Sequence, residues 1–187
     1  MNGFIEYCTR ISPLSSEAIQ DLNSCFQKKS FKKDVYLLKR RGICRNLYFI
    51  DQGMIKLFFV DEEKEFIMRF FPNGMLCTSF QSFINQHPSK YMLQALEPTQ
   101  VTYISREDLE LLCQKYHCVE TFYRKLSTMV IMNMMGRVSE MLEEDATKRY
   151  NNFVAEQPKV MQRISLGDVA SYLGITQVSL SRIRAKK

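Results

Sequence analysis

Residues 164–183 read Ile164-Ser-Leu-Gly-Asp-Val-Ala-Ser-Tyr-Leu-Gly-Ile-Thr-Gln-Val-Ser-Leu-Ser-Arg-Ile183, and this stretch decides how the chain is interpreted. Ser165 and Asp168 form the pair that caps and starts a short helix. Gly174 can take the left-handed backbone conformation that ends such a helix, and Thr176 can cap a second one. The stretch therefore predicts two short helices divided by a three-residue turn, which is the helix-turn-helix arrangement.

The second predicted helix has an inward side and an outward side. Leu180 and Ile183 lie three residues apart and form the inward side. The outward side is expected in the major groove of DNA, because recognition helices read base edges through their N-terminal half. The residues that we expect to contact DNA are Thr176, Gln177, Val178, Ser179, Ser181, Arg182, Arg184 and Lys186.

The chemistry of these side chains divides the expected contacts into two kinds. Arg182 can donate two hydrogen bonds to a guanine, Gln177 can pair with an adenine, and Val178 can touch a thymine methyl group. Most of the other members of the set are expected at phosphates. A plain helical hairpin that binds nothing is the alternative, since its small residues can have the same spacing.

The basic charge of the protein is concentrated at the C-terminal end. Residues 1–147 carry 18 Lys and Arg against 18 Asp and Glu, whereas residues 148–187 carry 8 against 2. The whole net charge of +6 therefore lies in the last forty residues. This distribution is expected of a module that meets phosphates, although a basic tail without that function has the same charge.

Short apolar segments separated by turn signals occupy the middle of the chain. Asp51-Gln52-Gly53 and Pro72-Asn73-Gly74 are typical of these turns. Regular short strands of this kind predict an antiparallel sandwich or barrel. The predicted strands are Val35–Leu38, Leu47–Ile50, Met54–Val60, Phe66–Phe71, Met92–Leu96 and Val101–Ile104.

Helical periodicity flanks the strands on both sides. Residues 14–26, after Ser12-Pro13, have the spacing of a short amphipathic helix. Ser105 and Asp108 predict a capping box that opens another helix. Residues 147–156 form a further short predicted helix, which ends near Gln157-Pro158 and leads into the last domain.

A proline-free segment from Val119 to Asp145 predicts a long helix with two apolar stripes. At ~1.5 Å per residue the helix is about 40 Å long. One stripe is spaced by fours and threes, as in helix pairing, and comprises Phe122, Leu126, Met129, Asn133 and Gly136. A second stripe, including Met134 and Val138, is expected to face the barrel. We interpret residues 119–145 as a homodimerisation helix, because a helix-turn-helix usually reads two half-sites; burial within one subunit is the alternative.

Cysteine and histidine usage gives little indication of a metal or catalytic site. There is no Cys-x-x-Cys pair, and only Cys113, His117 and Cys118 lie close together. A barrel enzyme needs a metal triad or a nucleophile with its base, and neither is visible, so we expect no enzyme, no metal and no catalytic residue. Without a signal peptide or a long apolar run, the protein is expected in the cytoplasm and not in a membrane.

These pieces, in their order along nearly the whole chain, resemble the Crp/Fnr-type transcription regulators. The similar segments are residues 47–57, 70–76 and 97–109, together with the helix-turn-helix. The resemblance implies a cyclic-nucleotide-binding-type β-barrel, a dimerisation helix and a DNA-binding domain that acts at promoters, with RNA polymerase as an expected partner.

The sequence departs from that family in the ligand cassette and at its end. Family members that bind cyclic AMP have a Gly-Glu and an Arg-Ser or Arg-Thr, but here Met75 follows Gly74 and the place of the arginine falls near Ser89. We therefore expect no cyclic AMP and no evident cofactor. The effector contacts that we expect are Cys77, Thr78, Ser79 and Lys90. The sequence stops at Lys187, which predicts a helix-turn-helix without a clear wing.

The sequence thus predicts an α+β fold with an N-terminal antiparallel β-barrel of the cyclic-nucleotide-binding jelly-roll type. We expect a sensor domain over residues 1–117, a dimerisation helix over 118–146 and a helix-turn-helix domain over 147–187. The predicted function is a homodimeric, sequence-specific regulator that binds double-stranded DNA and responds to an unidentified effector. An effector-binding barrel whose C-terminal domain no longer binds DNA specifically is the alternative.

Overall fold

The computed structural model describes residues 2–185, which form nine helices and eight strands. The helices are α1 (Gly3–Ile11), α2 (Ser16–Cys25), α3 (Phe80–Asn85), α4 (Arg106–Lys115), α5 (His117–Glu143), α6 (Ala146–Glu156), α7 (Pro158–Met161), α8 (Leu166–Leu173) and α9 (Gln177–Ala185). The strands are β1 (Gln27–Phe31), β2 (Tyr36–Leu38), β3 (Asn46–Gln52), β4 (Met54–Asp61), β5 (Lys64–Pro72), β6 (Leu76–Cys77), β7 (Met92–Ala95) and β8 (Thr99–Ser105).

The strands form two antiparallel sheets of a jelly roll, with the orders β1-β8-β3-β6 and β2-β7-β4-β5. Within residues 2–185 no strand pair joins one sheet to the other. The predicted barrel is therefore an open two-sheet roll, and all six predicted strands are present. Strands β1 and β6 were not predicted. Four of the five residues of β1 are exposed, so it lacks the apolar alternation that marks a strand.

The turn between β3 and β4 requires a glycine. Gly53 has φ +105°, and a methyl group in place of its hydrogen would lie 2.4 Å from Thr99 Oγ1. That approach is far closer than two non-bonded atoms allow, and the backbone conformation is one that side chains disfavour. Gly53 therefore lets the two sheets approach each other at this corner.

Helices α1, α2 and α4 and the start of α5 pack against the roll and complete its core. Phe4 stacks on Phe26 with ring centroids 4.5 Å apart, and Leu22, Leu109 and Val119 are buried in the same core. Helix α2 agrees with the predicted N-terminal helix, and Ser105 caps α4 as predicted, with its Oγ accepting from the Asp108 amide at 3.0 Å. Helix α1 was not predicted.

Helix α5 is buried only in its first three turns. Phe122 and Leu126, which the sequence placed on the pairing stripe, are 1% and 5% exposed and belong to the core of the roll. Met129, Asn133 and Gly136 of the same stripe are exposed. The stripe therefore changes its role along the helix, from core packing to a solvent-exposed face.

Helices α6 to α9 form the C-terminal part of the fold. Helix α6 agrees with the predicted helix over residues 147–156. The sequence suggested that Pro158 lies in a linker. In the structure Pro158 opens the short helix α7. Proline fits this position because a backbone N–H in the first turn of a helix has no partner within the helix. Of the helices in residues 2–185, none has the length and apolar character needed to cross a bilayer.

Candidate functional site

The helix-turn-helix is built by the local interactions that the sequence indicates. Ser165 Oγ accepts from the Asp168 amide at 3.0 Å, and Asp168 Oδ2 accepts from the Ser165 amide at 3.2 Å, so the predicted capping box is complete. Gly174 ends α8 in the left-handed conformation with φ +69°. Thr176 Oγ1 accepts from the Ser179 amide at 3.1 Å and caps α9.

Helix α9 exposes to solvent the side that the sequence predicts to contact DNA. Leu180 is 1% exposed and Ile183 is half-buried, whereas Val178 is 62% exposed. Gln177, Ser181, Arg182 and Arg184 are also exposed, while Thr176 is exposed and Ser179 half-buried at the capped end of the helix. Lys186 lies outside the described residues.

The two arginines of α9 are not engaged in ion pairs within the described part of the chain. Neither Arg182 nor Arg184 forms an ion pair with a carboxylate of residues 2–185. Two exposed cations in the last turn of a helix, with no carboxylate partner in the described residues, are suited to an anionic partner.

The helix-turn-helix packs directly on the outer face of the sheet β2-β7-β4-β5. Phe70 of β5 lies 5.5 Å from the ring of Tyr172 and 6.2 Å from that of Phe153. Met54 and Phe58 of β4 join the same buried cluster. The roll and the helix-turn-helix therefore share a second apolar core.

Polar contacts between the roll and the helix-turn-helix surround this second core. Lys56 Nζ of β4 lies 2.6 Å from Glu65 and 3.2 Å from Asp168, the partner of Ser165 in the capping box of α8. Arg163 pairs with Glu97 and donates to the Gly53 carbonyl at 3.1 Å.

Arg149 is buried and donates to the Leu173 carbonyl at 3.1 Å. Arg149 and Arg163 both belong to the basic segment 148–187. Part of the positive charge that the sequence suggested for phosphates therefore fixes the position of the helix-turn-helix instead.

A cavity of about 580 Å³ lies between the roll and α5. The predicted contacts Cys77, Thr78 and Ser79 line it. Their polar atoms are already engaged: Thr78 Oγ1 donates to the Asn46 carbonyl at 3.0 Å, and Ser79 Oγ lies 2.9 Å from Ser89 Oγ. Burial raises the pKa of the Cys77 thiol well above its usual range.

Lys90 is not among the residues that line the cavity. Its side chain is exposed, with Nζ 5.0 Å from the centre of the Tyr91 ring and 5.5 Å from that of Phe59. Ser89, at the place where the sequence comparison put the missing arginine, is buried and bonded to Ser79. The structure thus brings together three of the four predicted effector residues.

The exposed part of α5 is strongly apolar. Between residues 129 and 142 the following side chains are at least 40% exposed: Met129, Ile131, Met132, Met134, Met135, Val138, Met141 and Leu142. Several of them also line the open side of the cavity. Soluble monomers rarely expose a contiguous apolar patch of this kind.

Thiols and candidate metal ligands are dispersed in the described residues. All six cysteines are free, and residues 2–185 contain no group of three or more His, Cys, Asp or Glu side chains placed to hold a metal ion.

Solved structures of low sequence identity share this fold. CLP from Xanthomonas campestris, described as a c-di-GMP responsive global regulator, superposes with a TM-score of 0.71 at 16% identity over 92% of this chain and 91% of that one. FixK2 from Bradyrhizobium japonicum gives 0.74 at 16% identity over 86% and 83%. The catabolite activator protein from Thermus thermophilus gives 0.59 at 16% identity over 92% and 83%. No curated protein sequence matches the chain.

The family model described as "Cyclic nucleotide-binding domain" matches residues 28–116. Residues 28–116 are therefore similar to the cyclic nucleotide-binding domain, and the chain has the fold of solved regulators of the Crp/Fnr type. The resemblance that the sequence indicated is confirmed.

Proposed function

We propose that the protein is a sequence-specific DNA-binding transcription regulator. The observation that carries the proposal is the outward face of α9, where Val178, Ser181 and Arg182 are exposed and the two arginines have no carboxylate partner within residues 2–185. Gln177 and Arg182 would read base edges, while Thr176, Ser179, Arg184 and Lys186 would meet phosphates. Such a protein would work in the cytoplasm, with RNA polymerase as a further partner.

Binding to genomic DNA fragments at several salt concentrations tests this proposal. We expect the wild type to select a near-palindromic site, and Arg182→Ala to lose about tenfold or more in affinity for that site. Lys28→Ala removes an equal charge from strand β1 of the roll, on an exposed residue, and is the matched control with unchanged selectivity. Weak, salt-sensitive and sequence-blind binding by all three proteins would overturn the proposal.

We further propose that residues 119–145 pair two copies of the chain. The apolar side chains exposed between Met129 and Leu142 supply the surface, and a symmetric dimer would present two α9 helices to two half-sites. The first part of α5 would hold the roll while the second part meets the partner.

The cavity is proposed as the site of a small-molecule effector, with Cys77, Thr78 and Ser79 in its wall and Lys90 outside it. Its volume lies in the ~300–1,000 Å³ range of small-molecule pockets. Cyclic AMP is not the expected ligand, because Met75 and Ser89 occupy the places of the charged cassette residues. The alternative function, an effector module without specific DNA binding, is favoured only by the two arginines, 149 and 163, that serve internal contacts.

A further inference from the structure

The effector cavity has an apolar wall with a single charge in it. Methionine, leucine and phenylalanine side chains dominate the lining, and Arg69 is the one charged residue among the lining residues of the described chain. No Asp, Glu, Lys or His takes part in that lining.

A β-bulge places Arg69 in the cavity wall. In the pairing of β4 with β5, Leu57 lies opposite Arg69 and Phe58 opposite Ile67, so that Met68 is the extra residue. Because of this extra residue, Met68 and Arg69 both line the cavity, while Ile67 and Phe70 belong to the opposite face of the sheet.

The positive charge of Arg69 is not neutralised within residues 2–185. Its guanidinium lies 5.7 Å from the centre of the Phe71 ring and forms no ion pair with a described carboxylate. Burial raises the pKa of Tyr7, another lining residue, and the positive charges of Arg10 and Arg69 act in the opposite direction. A half-buried cation beside apolar side chains has lost part of its hydration and would gain from an anionic partner.

We propose that the effector is an amphipathic monocarboxylic acid, whose carboxylate pairs with Arg69 and whose apolar body contacts the rest of the cavity wall. This inference rests on the proposed function of the cavity. One cation matches one negative charge, and the Thr78 and Ser79 hydroxyls are already bonded within the protein. A phosphate dianion or a cyclic dinucleotide carries two negative charges, whereas Arg69 is the one cation in the described lining.

Calorimetric titration of the full chain with three ligands of one length tests the inference: decanoic acid, decanamide and decylamine. We expect decanoate to bind wild type at least about tenfold more tightly than decanamide, and decylamine not to bind. Arg69→Gln should remove the preference for the acid and keep the affinity for decanamide, which also shows that the variant is folded. Arg10→Gln is the matched control, because Arg10 lies near Tyr7 but does not line the cavity.

Equal binding of decanoate and decanamide by wild type would overturn the assignment of the ligand class. No binding of any of the three would overturn it too, and would indicate that a partner subunit fills the open side of the cavity. A preference for decanoate that persists in Arg69→Gln would overturn the role of Arg69. These titrations contain no DNA, so their outcome is separate from that of the DNA-binding test.

Discussion

Replacement of Lys56 by methionine tests how firmly the helix-turn-helix is held on the roll. The side chain of Lys56 is 8% exposed, and its ammonium group lies between Glu65 and Asp168, which are 29% and 16% exposed. Methionine keeps most of the aliphatic packing and removes the charge, so the change leaves two carboxylates without their cation. Loss of one partner of a buried ion pair costs ~3–5 kcal/mol. Since water reaches both carboxylates in part, we expect the free energy of unfolding to fall by about 2 kcal/mol.

Urea unfolding followed by far-ultraviolet circular dichroism at pH 7 measures this loss. Lys64→Met removes an exposed lysine from the same sheet and should change the free energy of unfolding by less than about 0.5 kcal/mol. A double-mutant cycle of Lys56→Met with Asp168→Asn isolates the contact between β4 and α8, with an expected coupling of about 1 kcal/mol. An equal effect of the two lysine substitutions, or no coupling with Asp168, would refute the reasoning.

Three further predictions concern the turn, the exposed helix and the cavity. Gly174→Ala places a side chain on a left-handed residue, with the new methyl group 3.2 Å from Met141 Cε. The free energy of unfolding, measured in urea, should fall by about 1–2 kcal/mol. An unchanged unfolding midpoint would contradict this. Met135→Asp places a charge on the exposed apolar face of α5, and sedimentation should show at least about tenfold weaker dimerisation; a fully dimeric variant would exclude this face. Burial raises the pKa of the Cys77 thiol, so this thiol stays protonated at pH 8. Iodoacetamide should therefore modify Cys77 much more slowly than the half-buried Cys118, as followed by mass spectrometry. Equal rates would contradict the burial of Cys77.

The parts of the fold that sequence reasoning predicted are those governed by local chemistry. The capping box of Ser165 and Asp168, the left-handed Gly174 and the cap at Thr176 each depend on residues within a few positions of one another. The strands with apolar side chains were found for the same reason, since their alternation is visible in the sequence. Strand β1 was missed because its pairing with β8, and not its composition, makes it a strand.

What the sequence did not reveal depends on contacts between distant residues. Arg163 belongs to a basic segment, and nothing near it in the chain indicates that Glu97 is its partner. Arg69 stands alone in the apolar run of β5, which is a visible signal, but the bulge that directs it into the cavity exists only in the pairing with β4. Lys90 was predicted as an effector contact by counting residues along a ligand cassette that this chain lacks. Such a count does not show whether a side chain points into the cavity or away from it, and Lys90 does not line the cavity.

Strand β5 has one face in the cavity, at Arg69, and the other in the second core, at Phe70. A single strand therefore separates the cavity proposed for the effector from the apolar core on which the helix-turn-helix packs. Close-packed interiors deform little under load, and Arg69 and Phe70 are consecutive residues of this one strand. We expect a displacement of the strand by an occupant to reach Tyr172 through Phe70 in a single step, with no relay of intermediate residues.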